Sequence, residues 1–267
     1  MKEVAFDHIA TIYDQQFSYS EIGKLQRKEV WKYLEAMLTT SDPLNILELN
    51  CGTGVDAIYM AKKGHKVLAT DISGEMVKAT LRKVVHHGLK DRVSALQLGF
   101  DELDEWFVGQ KFDLVVSNFG GLNCIDGTAL QRLAYDITGI LKPGGRFVTI
   151  VMPEKCMMET LYFMSRFKFS DAFRRSSNDA LMADLSGTGV ATWYHSPKKM
   201  RQLFSGAFNH VDTKPIGFML PPSYTEAFFS RHMGLLKALD RTEQLFNGIS
   251  ALAPISDHYL IDLELKR

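Results

Sequence analysis

A glycine-rich turn that follows a hydrophobic strand with a carboxylate near its end is the part of the chain best suited to bind a ligand. The hydrophobic run Ile46 to Leu49 contains Glu48 and leads directly into Asn50-Cys51-Gly52-Thr53-Gly54. A glycine turn between a strand and a helix presents backbone N–H groups and the positive helix end to a ligand. Asp71 ends the next predicted strand, where a carboxylate can accept hydrogen bonds from both hydroxyls of an adenosine ribose. These residues predict a nucleoside-cofactor site.

The charge of Glu48 discriminates between the cofactors that such a site could hold. NAD or FAD would place a pyrophosphate on the glycine turn, close to a carboxylate that repels it. S-adenosyl-L-methionine (SAM) carries no phosphate, and its ammonium group suits Glu48 while its carboxylate suits a helix N-terminus. Glu48 therefore favours SAM. An NAD(P)-dependent oxidoreductase is the alternative, because Gly52, Gly54 and Asp71 would also serve it.

Short apolar runs alternate with helical segments from residue 44 to residue 152. Helices are predicted over Met76 to His87 and over Ala129 to Leu141, from their capping residues and glycine or proline stops. This alternation of short apolar strands with helices predicts a parallel sheet. The predicted strands are Leu44 to Leu49, Lys66 to Thr70, Val93 to Leu98, Phe112 to Ser117, Arg146 to Met152, Phe208 to Phe218 and His258 to Leu265, with Val190 to His195 also extended.

The chain resembles the class I SAM-dependent methyltransferases of the small-molecule type. Their motif Glu/Asp-x-Gly-x-Gly-x-Gly is matched from Glu48 to Gly54, with Asn50 in place of the first glycine. The resemblance continues at Asp71 and again over the segment from Leu141 to Phe147. It implies an α/β Rossmann-like, doubly wound, mostly parallel seven-stranded sheet with an antiparallel last strand and helical lid insertions. It also implies SAM as the cofactor. The cofactor-binding residues predicted are Glu48, Asn50, Cys51, Gly52, Gly54, Asp71, Ile72, Met76, Phe100, Asp101, Ser117 and Asn118.

Two parts of this predicted cofactor site have structural alternatives. Phe100 could flank adenine while Asp101 takes its polar contact, or Asp101 could simply cap a surface helix. By the same resemblance, the loop Ser117 to Asn123 could pass close to the sulfonium and the acceptor, or it could be a turn that uses glycine for its geometry.

Three residues are predicted to act on the methyl acceptor. Tyr13 lies in an N-terminal segment that resembles the first helix of quinone-type methyltransferases, and Tyr194 and His195 stand beside Trp193 at the start of a helix. Methyl transfer from a sulfonium needs mainly proximity, and needs a base only if the acceptor must lose a proton. His195 is the preferred base, ahead of His258 at the start of the last strand.

A single methyltransferase domain is predicted over residues 1–267. N-terminal helices occupy 1–43, the SAM-binding core 44–152, and a lid insertion 153–189. Residues 190–267 complete the sheet, with a second helical insertion at about 221–253.

The lid is basic and aromatic, and such a composition could grip RNA but is also typical of an amphipathic lid with a solvated face. Its basic residues are Arg166, Lys168, Arg174 and Arg175.

Composition narrows the kinds of partner. The chain has 31 Lys and Arg against 31 Asp and Glu, so no net charge attracts nucleic acid or an anionic membrane. Its 3 cysteines form no metal-binding pattern, and no metal site is predicted. The first residues, Met1 to Asp7, contain no apolar leader, so a cytoplasmic location and a small-molecule acceptor are expected. The oligomeric state is left open, and a non-catalytic SAM-binding module is a further alternative.

Overall fold

A computed structural model describes residues 4–177, 179–185 and 187–267, so predictions that involve Met1 to Glu3 and Ser186 lie outside the described residues. Within these ranges, seven strands form one sheet in the order β3-β2-β1-β4-β5-β9-β8. The first five are parallel, whereas β9 runs antiparallel to both β5 and β8. The strands are β1 Asn45–Leu49, β2 Lys66–Asp71, β3 Val93–Gln97, β4 Phe112–Ser117, β5 Leu141–Val151, β6 Leu181–Leu185, β7 Thr188–Thr192, β8 Phe208–Ile216 and β9 His258–Leu265.

Helices cover both faces of this sheet and bury it between two apolar layers. One layer packs α1, α2 and α3 against the sheet, and the other packs α4, α5 and α8. This is the α/β architecture that the alternating pattern predicts, and the prediction of fold class is confirmed. The α-helices are α1 Glu21–Leu38, α2 Val55–Lys62, α3 Gly74–His86, α4 Leu103–Trp106, α5 Gly127–Ile140, α6 Met157–Ser165, α7 Phe169–Ala172, α8 Pro197–Phe204, α9 Glu226–Phe229 and α10 Met233–Phe246.

Shorter helical turns join these elements near the ligand-binding edge. A π-helix at Asp14–Ser18 precedes α1, and its N-terminal neighbour is the 3-10 turn Ala5–Asp7. Another 3-10 turn, Gly121–Cys124, follows β4. The remaining 3-10 turns are Phe100–Glu102, Arg174–Ser176, Ser223–Thr225 and Ser250–Ile255.

The start of β5 is the strand boundary that differs most from its prediction. β5 begins at Leu141 rather than Arg146, because Leu141 already pairs with Phe112 before a bulge shifts the register to Leu114. A bulge lets Lys142-Pro143-Gly144-Gly145 stay within the strand although Pro143 lacks a backbone donor.

The lid insertion contains a hairpin in addition to the predicted helix. β6 and β7 pair antiparallel in a separate two-stranded sheet, so the extended stretch predicted from Val190 belongs to the lid and not to the main sheet. Residues on β6 alternate between half-buried and exposed, which is the period-2 pattern of a strand. The lid therefore combines α6 with a hairpin that reaches the N-terminal segment.

Candidate cofactor and acceptor site

The glycine turn connects β1 to α2 at the carboxyl edge of the sheet. Gly54 adopts a left-handed backbone with φ of 76°, and a Cβ built there would lie 2.5 Å from the Thr80 side chain. A side chain at this position would therefore meet both backbone strain and a steric clash. The turn brings the N-terminus of α2 to the edge where parallel α/β sheets bind their ligands.

Asn50 occupies the first glycine position of the motif and also has a left-handed backbone, with φ of 47°. Asparagine tolerates this conformation better than most residues. Its side chain reaches to the loop after β4, where Nδ2 donates to the Asn118 carbonyl at 2.7 Å and Oδ1 accepts from Ser117 Oγ at 2.6 Å. Asn50 therefore ties the glycine turn to the β4 loop.

Glu48 lies on β1 directly below the turn and is buried. Its Oε2 atom has no hydrogen-bond partner among the residues that the structure describes. Burial, and then the nearby Asp56 carboxylate, raise the pKa of Glu48 well above its usual value, although the Arg27 guanidinium opposes this. A buried carboxylate oxygen without a donor is costly, and a cationic ligand group would satisfy it.

Asp71, at the end of β2, is buried beside the turn. Its Oδ2 accepts from the Gly52 N–H at 2.8 Å, and its Oδ1 accepts from the Ser73 N–H at 2.9 Å. Each carboxylate oxygen can accept a second hydrogen bond, so the group can still receive two ribose hydroxyls. Burial raises the pKa of Asp71 to about 6 even though both N–H groups oppose the shift.

The N-terminal segment covers this part of the sheet edge. Asp7 accepts from Ser73 Oγ at 2.6 Å, which fixes the segment to the start of α3. Ile9 and Ala10 pack on Met76, and Leu185 of the lid hairpin joins the same apolar cluster. The predicted cofactor edge is thus enclosed by two parts of the chain that are far apart in sequence.

Tyr13 projects from this segment onto the glycine turn, where a Cβ on Gly52 would lie 3.6 Å from its ring. Burial raises its pKa to about 12, and the Asp71 carboxylate adds to that shift while Arg27 opposes it. The phenol is therefore protonated at neutral pH and can donate a hydrogen bond. Its predicted role toward the acceptor stays a prediction.

The predicted adenine side lies at the ends of β2 and β3. Ile72 is half exposed, and its Cδ1 lies 3.8 Å from the position of a Cβ on Gly99. Phe100 packs partly against the core, while Glu102, and not Asp101, accepts a hydrogen bond from the Gly99 N–H at 2.8 Å. The exposed Asp101 side chain caps no helix among the described residues. Its contact with adenine stays a prediction.

The loop after β4 carries a polar network that sequence reasoning missed. Asn118 donates to Asp56 Oδ2 at 2.8 Å, and Asp56 also pairs with the Arg27 guanidinium and accepts from the Trp31 indole at 2.6 Å. Arg27 lies over the Phe119 ring, 5.1 Å from its centroid. The position of Asp56 in the first turn of α2, directly after the glycine turn, could have marked it as a site residue from the sequence. Arg27 could not have been found in this way, because α1 brings it to the site from outside the motif.

Phe119 has a left-handed backbone with φ of 42°. Such a conformation is strained for a bulky residue and is found mainly where a structure holds a site in place. The ring is half-buried and meets the His258 ring edge to face, with centroids 5.5 Å apart. The β4 loop therefore carries an aromatic ring between the glycine turn and β9.

A buried ionic network anchors the lid to the start of β9. Glu159 on α6 pairs with Arg174 at 3.0 Å and with Arg175 at 2.8 Å. Arg175 also pairs with Asp257 Oδ1 at 2.7 Å and donates to the Asp257 carbonyl at 2.9 Å. The predicted basic lid residues thus include a buried cation in Arg175.

Tyr194 and His195 do not converge on one point. The Tyr194 ring packs under the Arg175 guanidinium, 5.3 Å away, on the side of the ionic network. His195 is buried beside the backbone of Leu122 and Ile125, but neither ring nitrogen forms a well-aligned hydrogen bond within the described residues. Burial, and then Lys199, lower the pKa of His195, so its imidazole is neutral.

Comparison with known proteins places this geometry in a family. Residues 46–145 match the methyltransferase domain family. The demethylmenaquinone methyltransferase of Symbiobacterium thermophilum is 32% identical over 149 residues, which are 54% of this chain and 56% of that protein. The tRNA 5-carboxymethoxyuridine methyltransferase of Escherichia coli is 28% identical over 95 residues, 35% of this chain and 36% of that protein. The matched part of the chain thus spans about half the length of the first relative and about a third of the second.

A solved structure extends the likeness to the whole fold. The CcbJ methyltransferase from Streptomyces caelestis superimposes with a TM-score of 0.65 over 100% of both chains, at 15% sequence identity. The chain belongs to the class I SAM-dependent methyltransferase superfamily, whose cofactor is SAM. The unpartnered Glu48 oxygen fits the cofactor ammonium, and the free acceptor positions of Asp71 fit its ribose.

A membrane-spanning helix and a cluster of metal-binding side chains are both absent from the described residues. In the described part of the chain, no helix combines the length and hydrophobicity needed to cross a bilayer. The same residues contain no group of three or more His, Cys, Asp or Glu side chains able to hold a metal ion.

Proposed function

We propose that the protein transfers the methyl group of SAM to a small organic molecule. The observation that carries this proposal is the buried, unpartnered Glu48 oxygen at the end of β1, beside an Asp71 that can still accept two hydrogen bonds. This pair suits an ammonium and a ribose diol, and it disfavours the pyrophosphate of NAD.

Each of these residues would contact a different part of the cofactor. Glu48 would hold the ammonium, Asp71 the ribose hydroxyls, and Ile72 with Phe100 the adenine faces. The bound cofactor supplies a methyl group already activated on a sulfonium, so the chain's own task is to bind, align and exclude water. Tyr13, Ser117 and Asn118 surround the position between the glycine turn and the β4 loop, where the methyl group would point.

The enclosure of the site favours a small acceptor. The N-terminal segment and the lid hairpin meet over the sheet edge at Leu185, which limits the access of a folded macromolecule. Two of the lid arginines that could have gripped RNA phosphates, Arg174 and Arg175, are instead paired with Glu159 and Asp257. A relative named for tRNA leaves nucleic acid as the competing acceptor class.

A non-catalytic SAM-binding module is the second candidate. It would keep Glu48 and Asp71, but it would have little need of a lid anchored by a buried ionic network. Excluding water from the sulfonium is a requirement of the transfer reaction and not of cofactor sensing.

Calorimetry and methyl transfer test the proposal in two steps. SAM and its demethylated product should bind while NAD does not, and saturation at 100 times Kd should stabilise the fold by about 2.7 kcal/mol. SAM labelled on its methyl group is then incubated with the small-molecule, RNA and protein fractions of a cell extract. Label entering the small-molecule fraction supports the proposal, whereas label in RNA alone, or tight NAD binding without SAM binding, contradicts it.

A further inference from the structure

An aspartate and a histidine form a pair at the start of β9. His258 Nδ1 lies 3.2 Å from Asp257 Oδ2, an ion-pair contact outside ideal hydrogen-bond alignment. The residues are adjacent in sequence, and the first strand position of β9 is His258. Because β9 is antiparallel to β5, its start lies at the same edge as the carboxyl ends of the parallel strands.

Asp257 is held rigidly in the carboxylate form. Its Oδ1 pairs with Arg175 at 2.7 Å, its Oδ2 accepts from Gln26 Nε2 at 2.9 Å, and its backbone N–H donates to Gly217 at 3.2 Å. Burial would raise the pKa of Asp257, but His258 and Arg175 outweigh burial and hold that pKa well below its usual value. A fixed carboxylate beside one ring nitrogen orients an imidazole and selects its tautomer.

The other ring nitrogen of His258 is available. The His258 side chain is 14% exposed, and Nε2 forms no hydrogen bond with any described residue and, unlike Nδ1, is not a buried unpartnered atom. Its ring meets the Phe119 ring, which belongs to the loop directly after the Ser117 and Asn118 positions predicted to bind the cofactor. β9 is two strands from β4 in the sheet, a separation of about 10 Å, so an acceptor lying between the β4 loop and β9 could meet the methyl group on one side and His258 on the other.

The walls around His258 are aromatic and cationic. The Phe119 ring meets His258 and carries Arg27 above it, and Arg175, which holds Asp257, lies over the Tyr194 ring. Aromatic side chains pack favourably on the faces and edges of another aromatic ring. The Phe119 ring beside His258 therefore offers a face on which a flat aromatic acceptor could pack.

We propose that His258, oriented by Asp257, is the catalytic base for an acceptor that carries a hydroxyl group on an aromatic ring. The inference rests on the proposed methyl transfer. As the acceptor oxygen forms its bond to the methyl carbon, the carbon–sulfur bond breaks and its electron pair stays on sulfur. The hydroxyl proton passes to His258 Nε2, and from there to solvent.

His258 fits this role better than His195, the base preferred on sequence grounds. His195 is 1% exposed and packs beside the backbone of the β4 loop, so an acceptor cannot reach its ring without rearrangement. A general base must lie within hydrogen-bond reach of the proton that it removes. Asp257 also gives His258 the orienting partner that His195 lacks among the described residues.

The test uses para-nitrophenol, whose ionised form is coloured, with the demethylated cofactor SAH occupying the donor site. In the wild-type protein, proton transfer to His258 should raise the ionised fraction of the bound probe about tenfold above that of the free probe at the same mildly acidic pH, because an imidazolium stabilises the neighbouring phenolate. His258→Gln should abolish this rise while SAH affinity stays unchanged. His87→Gln, on the exposed end of α3, is the matched control and should behave as the wild type.

The outcomes separate this inference from the proposed function. Failure to bind SAH would remove the proposed function itself. SAH binding with no bound nitrophenol, or with the same ionised fraction in the wild type and in His258→Gln, would overturn the role of His258 alone. Loss of the signal in His195→Gln but not in His258→Gln would return the role to His195. Because Asp257 is buried with Arg175, its removal also threatens the fold, so His258→Gln decides the test.

Discussion

The Asn50 side chain fills the space in which a side chain at Gly121 would lie. A Cβ built on Gly121 would come within 2.1 Å of Asn50 Cγ, so the two positions are sterically coupled although 71 residues separate them. Asn50 stands where related methyltransferases carry the first motif glycine. Its amide holds the β4 loop, and the small residue at 121 makes room for that amide.

This coupling predicts a rescue. Gly121→Ala alone should lower the free energy of unfolding by about 1–3 kcal/mol, because the added methyl group overpacks against Asn50. In an Asn50→Gly background the same change should cost close to nothing. Urea denaturation of the four proteins in this double-mutant cycle measures the coupling, and additive effects would show that the two positions are independent.

Glu48→Gln should change stability and cofactor affinity in opposite directions. Burial raises the pKa of Glu48, so the carboxylate destabilises the apo fold at neutral pH and its neutral amide should raise the melting temperature. The affinity for SAM should fall by about 1.5–3 kcal/mol, as for loss of a hydrogen bond to a charged group. Thermal unfolding and calorimetry measure the two effects. The exposed Glu105→Gln is the control, and an unchanged SAM affinity in Glu48→Gln would contradict the ammonium role.

SAM binding should weaken as the pH falls through about 6. The pKa of Asp71 is raised to about 6 in the apo protein, and a protonated carboxyl loses acceptor capacity for the ribose. Affinity should then drop by up to about tenfold per pH unit below this value, and Asp71→Asn should flatten the profile. In the unfolded chain the pKa of Asp71 is about 4, lower than in the apo fold. The contribution of Asp71 to apo stability is therefore complete below about pH 4 and is lost as the pH rises from about 4 to 6. Calorimetry across this pH range measures the affinity for SAM. A wild-type affinity that does not change with pH would contradict the ribose role of Asp71.

The two lid arginines should differ in their importance for stability. Arg175→Met leaves the buried Asp257 and Glu159 carboxylates without a shared partner, which should cost about 3–5 kcal/mol. Arg174→Met removes a side chain that is 39% exposed and should cost less than about 1 kcal/mol. Chemical denaturation compares the variants, and equal losses would mean that the Asp257 contact adds nothing.

Local signals predicted the sheet well because the alternation of strands and helices and the helix-capping residues are short-range features of the sequence. Asp71 and Glu48 could be placed beside the glycine turn because strand ends in a parallel sheet share one edge. The lid hairpin was missed because Leu181 to Leu185 alternates only between half-buried and exposed positions, so its apolar pattern is weak.

The acceptor side could not be assembled from sequence because its contacts are long-range. Arg27 reaches Asp56 from α1, and Arg175 reaches Asp257 across 82 residues. Tyr194 and His195 looked like one site because they are neighbours in sequence, but in extended chain successive side chains point to opposite sides. His258 gained its significance only from the position of Phe119 and the fixed Asp257 carboxylate.

The packing of Leu185 against the cluster of Ile9, Ala10 and Met76 closes the largest sequence separation in the cover over the cofactor edge. The two contacting segments are about 175 positions apart in sequence, so closing them costs more chain entropy than forming any βα unit beneath. Such a contact forms after the sheet is in place and opens without unfolding it. Cofactor entry and exit would then require only this cover to open, while Glu48 and Asp71, proposed to hold the cofactor, stay on the strands of the sheet.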